Sequence, residues 1–220
     1  MTEACRLCLK ARPTHMPARR RPYGGHVTYK LRDQSPGLHH ISIRGNNKRL
    51  VFRDENDRAH FLGLLDDTAL KEGWAIYAYA LMTNHFHLVM RIGDRGLGDG
   101  MCRLNTAYAT WFNQQNERIN HLFGKRYWSE RLTDERRVKA ALRYVIRNPR
   151  RAGVPGPLES HTWTSYAATI GLALSRVRLA KDELLALFAS NAARAIELFR
   201  ALCEDDDDPD DEGTDWWQPP

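Results

Sequence analysis

The chain has 220 residues, 42% of them hydrophobic, which suits one modest domain with extensions and a real core. No run of about 18 apolar residues occurs and no apolar segment follows Arg6 and Lys10, so neither a membrane span nor a secretory signal is predicted, and a cytoplasmic location is expected. The net charge is +6, but residues 204–220 hold nine acidic and no basic side chains, leaving 33 basic against 18 acidic groups, or +15, on residues 1–203. Such a body should attract a polyanion, nucleic acid ahead of an anionic membrane surface, with affinity that falls steeply with salt.

Residues 1–37 read as a basic, Pro-rich lead-in whose Arg19-Arg20-Arg21-Pro22-Tyr23-Gly24-Gly25 holds neither a helix nor a packed strand. Within it, Cys5 and Cys8 have half the spacing of a zinc site. No second close Cys or His pair follows, and His15 is the one further candidate ligand, so these cysteines, with Cys102 and Cys203, read as free thiols. A strand is predicted over 39–44, a turn at Gly45-Asn46-Asn47, and a short extended piece at Leu50-Val51-Phe52. A helix follows over 55–72, capped by Asp54 and ended by Gly73, with Phe61, Leu64 and Leu65 on its apolar face.

Residues 74–81 and 85–92 read as two strands of a hairpin turned by Met82-Thr83-Asn84. Gly-rich 93–100 leads to a helix over 101–118, whose Leu104, Tyr108, Trp111 and Phe112 recur at helical spacing. Leu122 to Arg131 reads as extended, and a helix over 134–147 is stopped by Asn148-Pro149. Weaker helical patterns fill 165–202, clearest over 181–202, and 204–220 is an acidic low-complexity tail expected to stay unfolded. The order strand–helix–strand–strand–helix–strand predicts an α+β, ferredoxin-like antiparallel sheet with packed helices and further C-terminal helices. The glycines of 93–100 lack the Lys and Ser/Thr of a nucleotide-binding loop, so an ATP-driven machine is not expected.

His85-Phe86-His87 is the sharpest chemical feature. Side chains alternate along a strand, so His85 and His87 share one side, with Cα atoms about 6.5–7 Å apart, and two imidazoles at that spacing can reach one divalent cation. Phe86 faces the other side and packs beneath helices. By itself a His-x-His pair is more readily read as two surface or hydrogen-bonded core histidines. Tyr108 is a candidate nucleophile, on a helix whose polar face is expected to meet the sheet near the histidines. Spacing alone does not choose among the eight tyrosines, and a packing aromatic is the plain alternative.

Taken together, these blocks resemble the REP-associated tyrosine transposases of the IS200/IS605-like Y1 superfamily. The likeness runs over roughly 38–166 and rests on five stretches in order: His39-His40-Ile41-Ser42-Ile43-Arg44-Gly45-Asn46-Asn47, Leu81 to Val89, Tyr108 to Asn113, Gly124-Lys125-Arg126-Tyr127 with Tyr144 to Gly153, and Trp163-Thr164-Ser165-Tyr166. It implies an HUH-type catalytic domain over 38–166, flanked by the 1–37 segment, a 167–203 helical extension and the 204–220 tail. It further implies single-stranded DNA with a palindromic hairpin as substrate, Mg2+ or Mn2+ at His85 and His87, and Tyr108 forming a 5′-phosphotyrosine. The superfamily's third metal contact lies about a turn beyond the tyrosine. Phe112 cannot ligate, so Asn113 is the candidate. Arg44, Arg126, Arg147, Arg150 and Arg151 are expected to hold DNA phosphates, and Tyr127 or Trp128 to stack on an unpaired base. A monomer or a homodimer is compatible with the resemblance. The rival reading is a non-catalytic regulator that binds DNA or RNA hairpins on the same scaffold. The tail is expected either to compete with DNA or to recruit a partner through Trp216 and Trp217.

Overall fold

The structure, a computed structural model, describes residues 32–205. The readings made for residues 1–31, including the Cys5/Cys8 pair, and for 206–220 lie outside the described residues. Four strands alternate with helices: β1 (Gly37–Arg44), α1 (Glu55–Glu72), β2 (Ala75–Leu81), β3 (His85–Ile92), α2 (Gly98–Gln115) and β4 (Trp128–Arg131). Beyond them come α3 (Glu135–Arg151), a single-turn α4 (Tyr166–Thr169), α5 (Lys181–Ala186) and α6 (Ala192–Glu204). The strand order is β2-β3-β1-β4 with every neighbouring pair antiparallel, which is the ferredoxin-like arrangement read from the sequence.

Local chemistry sets the element ends. The Asp54 carboxylate accepts from the Asp57 N–H at 2.9 Å, satisfying one of the donors that a helix start leaves open. Gly73, at φ 69°, closes α1 in the left-handed conformation that a side chain would disfavour. Asp134 caps α3 in the same way, accepting from Arg137 N–H at 2.9 Å.

The sheet has a core on each face. On one face Ile41, Phe86, Leu88 and Met90 pack against α1 and α2 through Phe61, Leu65, Leu104 and Tyr108. On the other, Ala78, Ala80 and Val89 pack against α3, α5 and α6 through Leu142, Val145, Ile146, Leu184 and Phe199. Period-two alternation in β3 assigns its residues to these faces: Phe86, Leu88 and Met90 to the first, His85, His87 and Val89 to the second. Among the described residues no helix is long and apolar enough to cross a membrane.

Several elements differ from the sequence reading. Leu50-Val51-Phe52 forms no strand, because its only backbone partner is one carbonyl: Val51 and Phe52 N–H both donate to Thr83 O, at 2.9 and 3.1 Å. Of 122–131 only Trp128–Arg131 joins the sheet, and Phe123 makes a single bridge to Gly45. Helix α2 begins three residues early, at Gly98, and the 181–202 pattern splits into α5 and α6. Most consequentially, α3 continues through Pro149 to Arg151. Proline removes one donor there, but the last turn is still closed by Ala152 N–H donating to Asn148 O at 3.0 Å.

Candidate active site

The second face of β3 brings His85 and His87 together, with ring centroids 5.1 Å apart, and lays them under α3. Asn148 and Tyr144 stand four residues apart on α3 and so share one side of that helix. Asn148, itself buried, sets its Oδ1 3.1 Å from His85 Nε2. The half-buried Tyr144 ring lies 5.2 Å from the His87 ring and 5.8 Å from that of His40. The Arg151 guanidinium sits over the other partner of the group, its Cζ 5.1 Å from the Tyr144 centroid. Behind His87, His40 Nε2 meets His87 Nδ1 at 3.1 Å.

Burial keeps the imidazoles neutral. It pushes His85 down to about 4, helped by the charge of Arg44 and opposed by the Asn148 contact. It holds His87 well below the usual range, with His40, His85 and Arg44 adding to the effect. Neutral imidazole is the form that binds a metal. A neutral His85 carries one proton between two amide oxygens, Asn84 Oδ1 at 2.6 Å from Nδ1 and Asn148 Oδ1 at 3.1 Å from Nε2. With that proton directed at Asn84, the Nε2 lone pair faces the lone pairs of Asn148 Oδ1. Two acceptors about 3 Å apart match neighbouring ligands of a small six-coordinate cation held at about 2.1 Å. The donor set of two imidazoles and one amide oxygen therefore fits a divalent ion. No group of three His, Cys, Asp or Glu does so among the described residues, since the third donor here is an amide.

Tyr108 is not part of this cluster. It lies on α2, on the opposite face of the sheet, wholly buried against Phe52, Phe61 and Phe112. Its hydroxyl donates to Val51 O at 2.6 Å, and burial, then the charge of Asp57, raises its pKa strongly. The strand alternation that points His85 and His87 at α3 points Phe86, Leu88 and Met90 toward the face that holds α1 and α2. Asn113 shares that helix, and its amide donates to Asn120 O at 3.0 Å, so it too is separated from the histidines.

The arginines divide. Arg44, opposite His85 in the β1–β3 register, and Arg151 belong to the site. Arg150 is exposed at the end of α3, and Arg126 is exposed in the loop before β4. Arg147 is buried and donates to the Asp205 carbonyl, as does Arg143, so it is not an open phosphate contact. Tyr127 is buried and accepts from Gln34 Nε2 at 3.2 Å, which removes it as a stacking platform. Trp128 is half-buried, edge-on to His40 with centroids 5.2 Å apart. Tyr144 and Asn148, which the structure brings to the histidines, are not among the candidate residues read from the sequence. Their signal is the Tyr-x-x-x-Asn spacing inside a stretch whose helix is predicted to stop at 147.

Residues 35–148 match the family described as transposase, IS200 like. The chain belongs to the IS200-like transposase family. Its general activity is the family's, cleavage and rejoining of single-stranded DNA. No curated protein matches. Among solved structures, the family fold is shared with a REP-associated tyrosine transposase bound to a REP hairpin, at 12% identity and a TM-score of 0.55, over 66% of this chain and 87% of that one. A candidate transposase from Deinococcus radiodurans R1 matches at 16% identity over 62% of this chain and 100% of its own, with a TM-score of 0.38.

Proposed function

We propose that this family member cleaves single-stranded DNA beside a palindromic hairpin with Tyr144 as nucleophile, and that His85, His87 and Asn148 hold a divalent cation, Mg2+ or Mn2+. The observation that carries the reading is the convergence of one side of α3 on one face of β3: Asn148 Oδ1 3.1 Å from His85 Nε2, and Tyr144 5.2 Å from His87. The hairpin substrate is suggested by the hairpin bound to the REP-associated structural neighbour, and by the +15 body.

In the reaction the Tyr144 Oη attacks the scissile phosphorus and gives up its proton. The bond from phosphorus to the 3′-oxygen breaks, and that oxygen takes a proton to become a 3′-hydroxyl. The product is a 5′-phosphotyrosine, which keeps the energy of the broken phosphodiester, so a 3′-hydroxyl can reverse the step or join a different end without ATP. When bound, the cation supplies Lewis-acid polarisation of the scissile phosphate. Arg151, against the Tyr144 ring, and Arg44, beside His85, provide fixed positive charge where a phosphate must enter.

The test is a denaturing gel of end-labelled hairpin single-stranded DNA incubated with Mn2+, followed by peptide mapping of any adduct. Wild type should yield a covalent complex mapped to Tyr144, and Y144F should fold and bind the hairpin but make neither adduct nor cut. Cutting by Y144F, or an adduct mapped to another tyrosine, overturns the nucleophile. Cutting without any adduct points to activated water. Tight binding with no breakage would favour the rival regulator.

A further inference from the structure

His40 is an enclosed polar side chain beside the site that the proposed chemistry leaves without a task. It lies on β1, opposite Val89, and so next to His87 on the same face of the sheet. Its Nε2 is 3.1 Å from His87 Nδ1, and the two rings are 5.2 Å apart, tilted by 31°. Both side chains are essentially inaccessible, at 1% and 0% exposure. Trp128 and Tyr144 close on the His40 ring edge-on at 5.2 and 5.8 Å, so it has no room to swing away.

We propose that His40 is a positioning residue for metal binding: by accepting a hydrogen bond from His87 Nδ1–H, it fixes the ring and presents His87 Nε2 to the cation. The proposal rests on the reading of His85, His87 and Asn148 as the metal ligands. Two neutral imidazoles joined by one N···N contact share a single bridging proton. When that proton is on His87 Nδ1, the lone pair of His87 is on Nε2. A proton on His87 Nε2 instead makes the ring unable to ligate through that atom. The acceptor at His40 therefore selects both the tautomer and the ring plane, the role that an outer hydrogen-bond partner plays for a ligating histidine. A carboxylate in this place would bring a buried charge. A second imidazole does the task without one.

The test measures Mn2+ affinity of the full chain without DNA, from the electron paramagnetic resonance signal of free Mn2+, for wild type, H40Q, H40N and H87A. Gln carries an amide at about the reach of His Nε2, and Asn carries one a methylene short of it. H40Q should bind Mn2+ within about threefold of wild type, H40N should bind roughly ten- to hundredfold more weakly, and H87A should lose the site. Equal affinity of H40Q and H40N overturns the role of His40, and so does loss in H87A with wild-type binding by H40N. Wild-type Mn2+ binding by H87A removes the ligand assignment itself, and the proposal with it. A second measurement needs no variant. In Mg2+-saturated protein, long-range 1H–15N spectra should show His87 protonated on Nδ1, and protonation on Nε2 would overturn the proposal.

Discussion

The Tyr108 hydroxyl is enclosed by Val51, Phe52, Phe61 and Phe112, whereas the Tyr144 ring is half-buried between His87 and Arg151. The same side chain is thus a core strut in one place and a reactive candidate in the other. A phenol whose proton is committed to a backbone carbonyl at 2.6 Å, across the sheet from the histidines, has no path to a phosphate held by them. Y108F should therefore be a stability variant and nothing more. It leaves the buried Val51 carbonyl without its donor, at a cost of about 1–3 kcal/mol. For a chain of this size each kcal/mol lowers the melting temperature by roughly 2–4 °C. Calorimetry should find that drop, and the folded variant should cut hairpin DNA as wild type does. A folded Y108F that does not cut would restore Tyr108 to the chemistry.

Helix α3 shows why the fold was readable from the sequence and the site only half so. The strands and α1 announce themselves by alternation, by an Asp cap and by a terminal glycine, all local signals. His85 and His87 were legible for the same reason, since a strand fixes their common side. Which helix lies over that side is a tertiary fact, and period alone does not carry it. Asn148 was lost to a local rule. The residue before proline avoids helix, which predicts an end at 147, yet α3 runs on to Arg151 and puts Asn148 in phase with Tyr144. Packing also decides a contest in α2. Gly100 to Ala gains about 1 kcal/mol of helix propensity. The added methyl, however, would fall on the Trp74 ring and within 2.8 Å of Glu72 Cγ. That ring is buried and tied to Gly96 O by a 3.2 Å hydrogen bond, so it cannot yield cheaply. Overpacking costs about 1–3 kcal/mol and should win, making G100A less stable in urea unfolding. A higher urea midpoint would mean that propensity prevailed and the contact relaxes.

At the scale of the molecule, an acidic stretch of chain departs from beside α3. Arg143 and Arg147 flank Tyr144 in sequence on α3, and both donate to the carbonyl of Asp205. Asp205 is the second residue of an acidic run that Glu204 opens, and the chain beyond it, residues 206–220, carries seven more carboxylates and no basic side chain. The body that should hold DNA carries +15, so a tethered polyanion starting next to α3 competes with a phosphate backbone for the same field. Deleting residues 206–220 makes Asp205 the C-terminus, so a carboxylate oxygen takes the place of the carbonyl that Arg143 and Arg147 hold. The deletion should tighten binding to hairpin single-stranded DNA severalfold at low salt, where charges interact over tens of ångströms. The gain should shrink as added salt screens the interaction over less than about 10 Å. A full-length chain with its tail carboxylates changed to amides separates charge from bulk, and should bind like the deletion. Fluorescence anisotropy with a labelled hairpin measures all three proteins across a salt series. Equal low-salt affinities would end the idea of competition. An amide tail that binds like wild type, beside a deletion that binds more tightly, would show that the tail acts by occupying space and not by its charge.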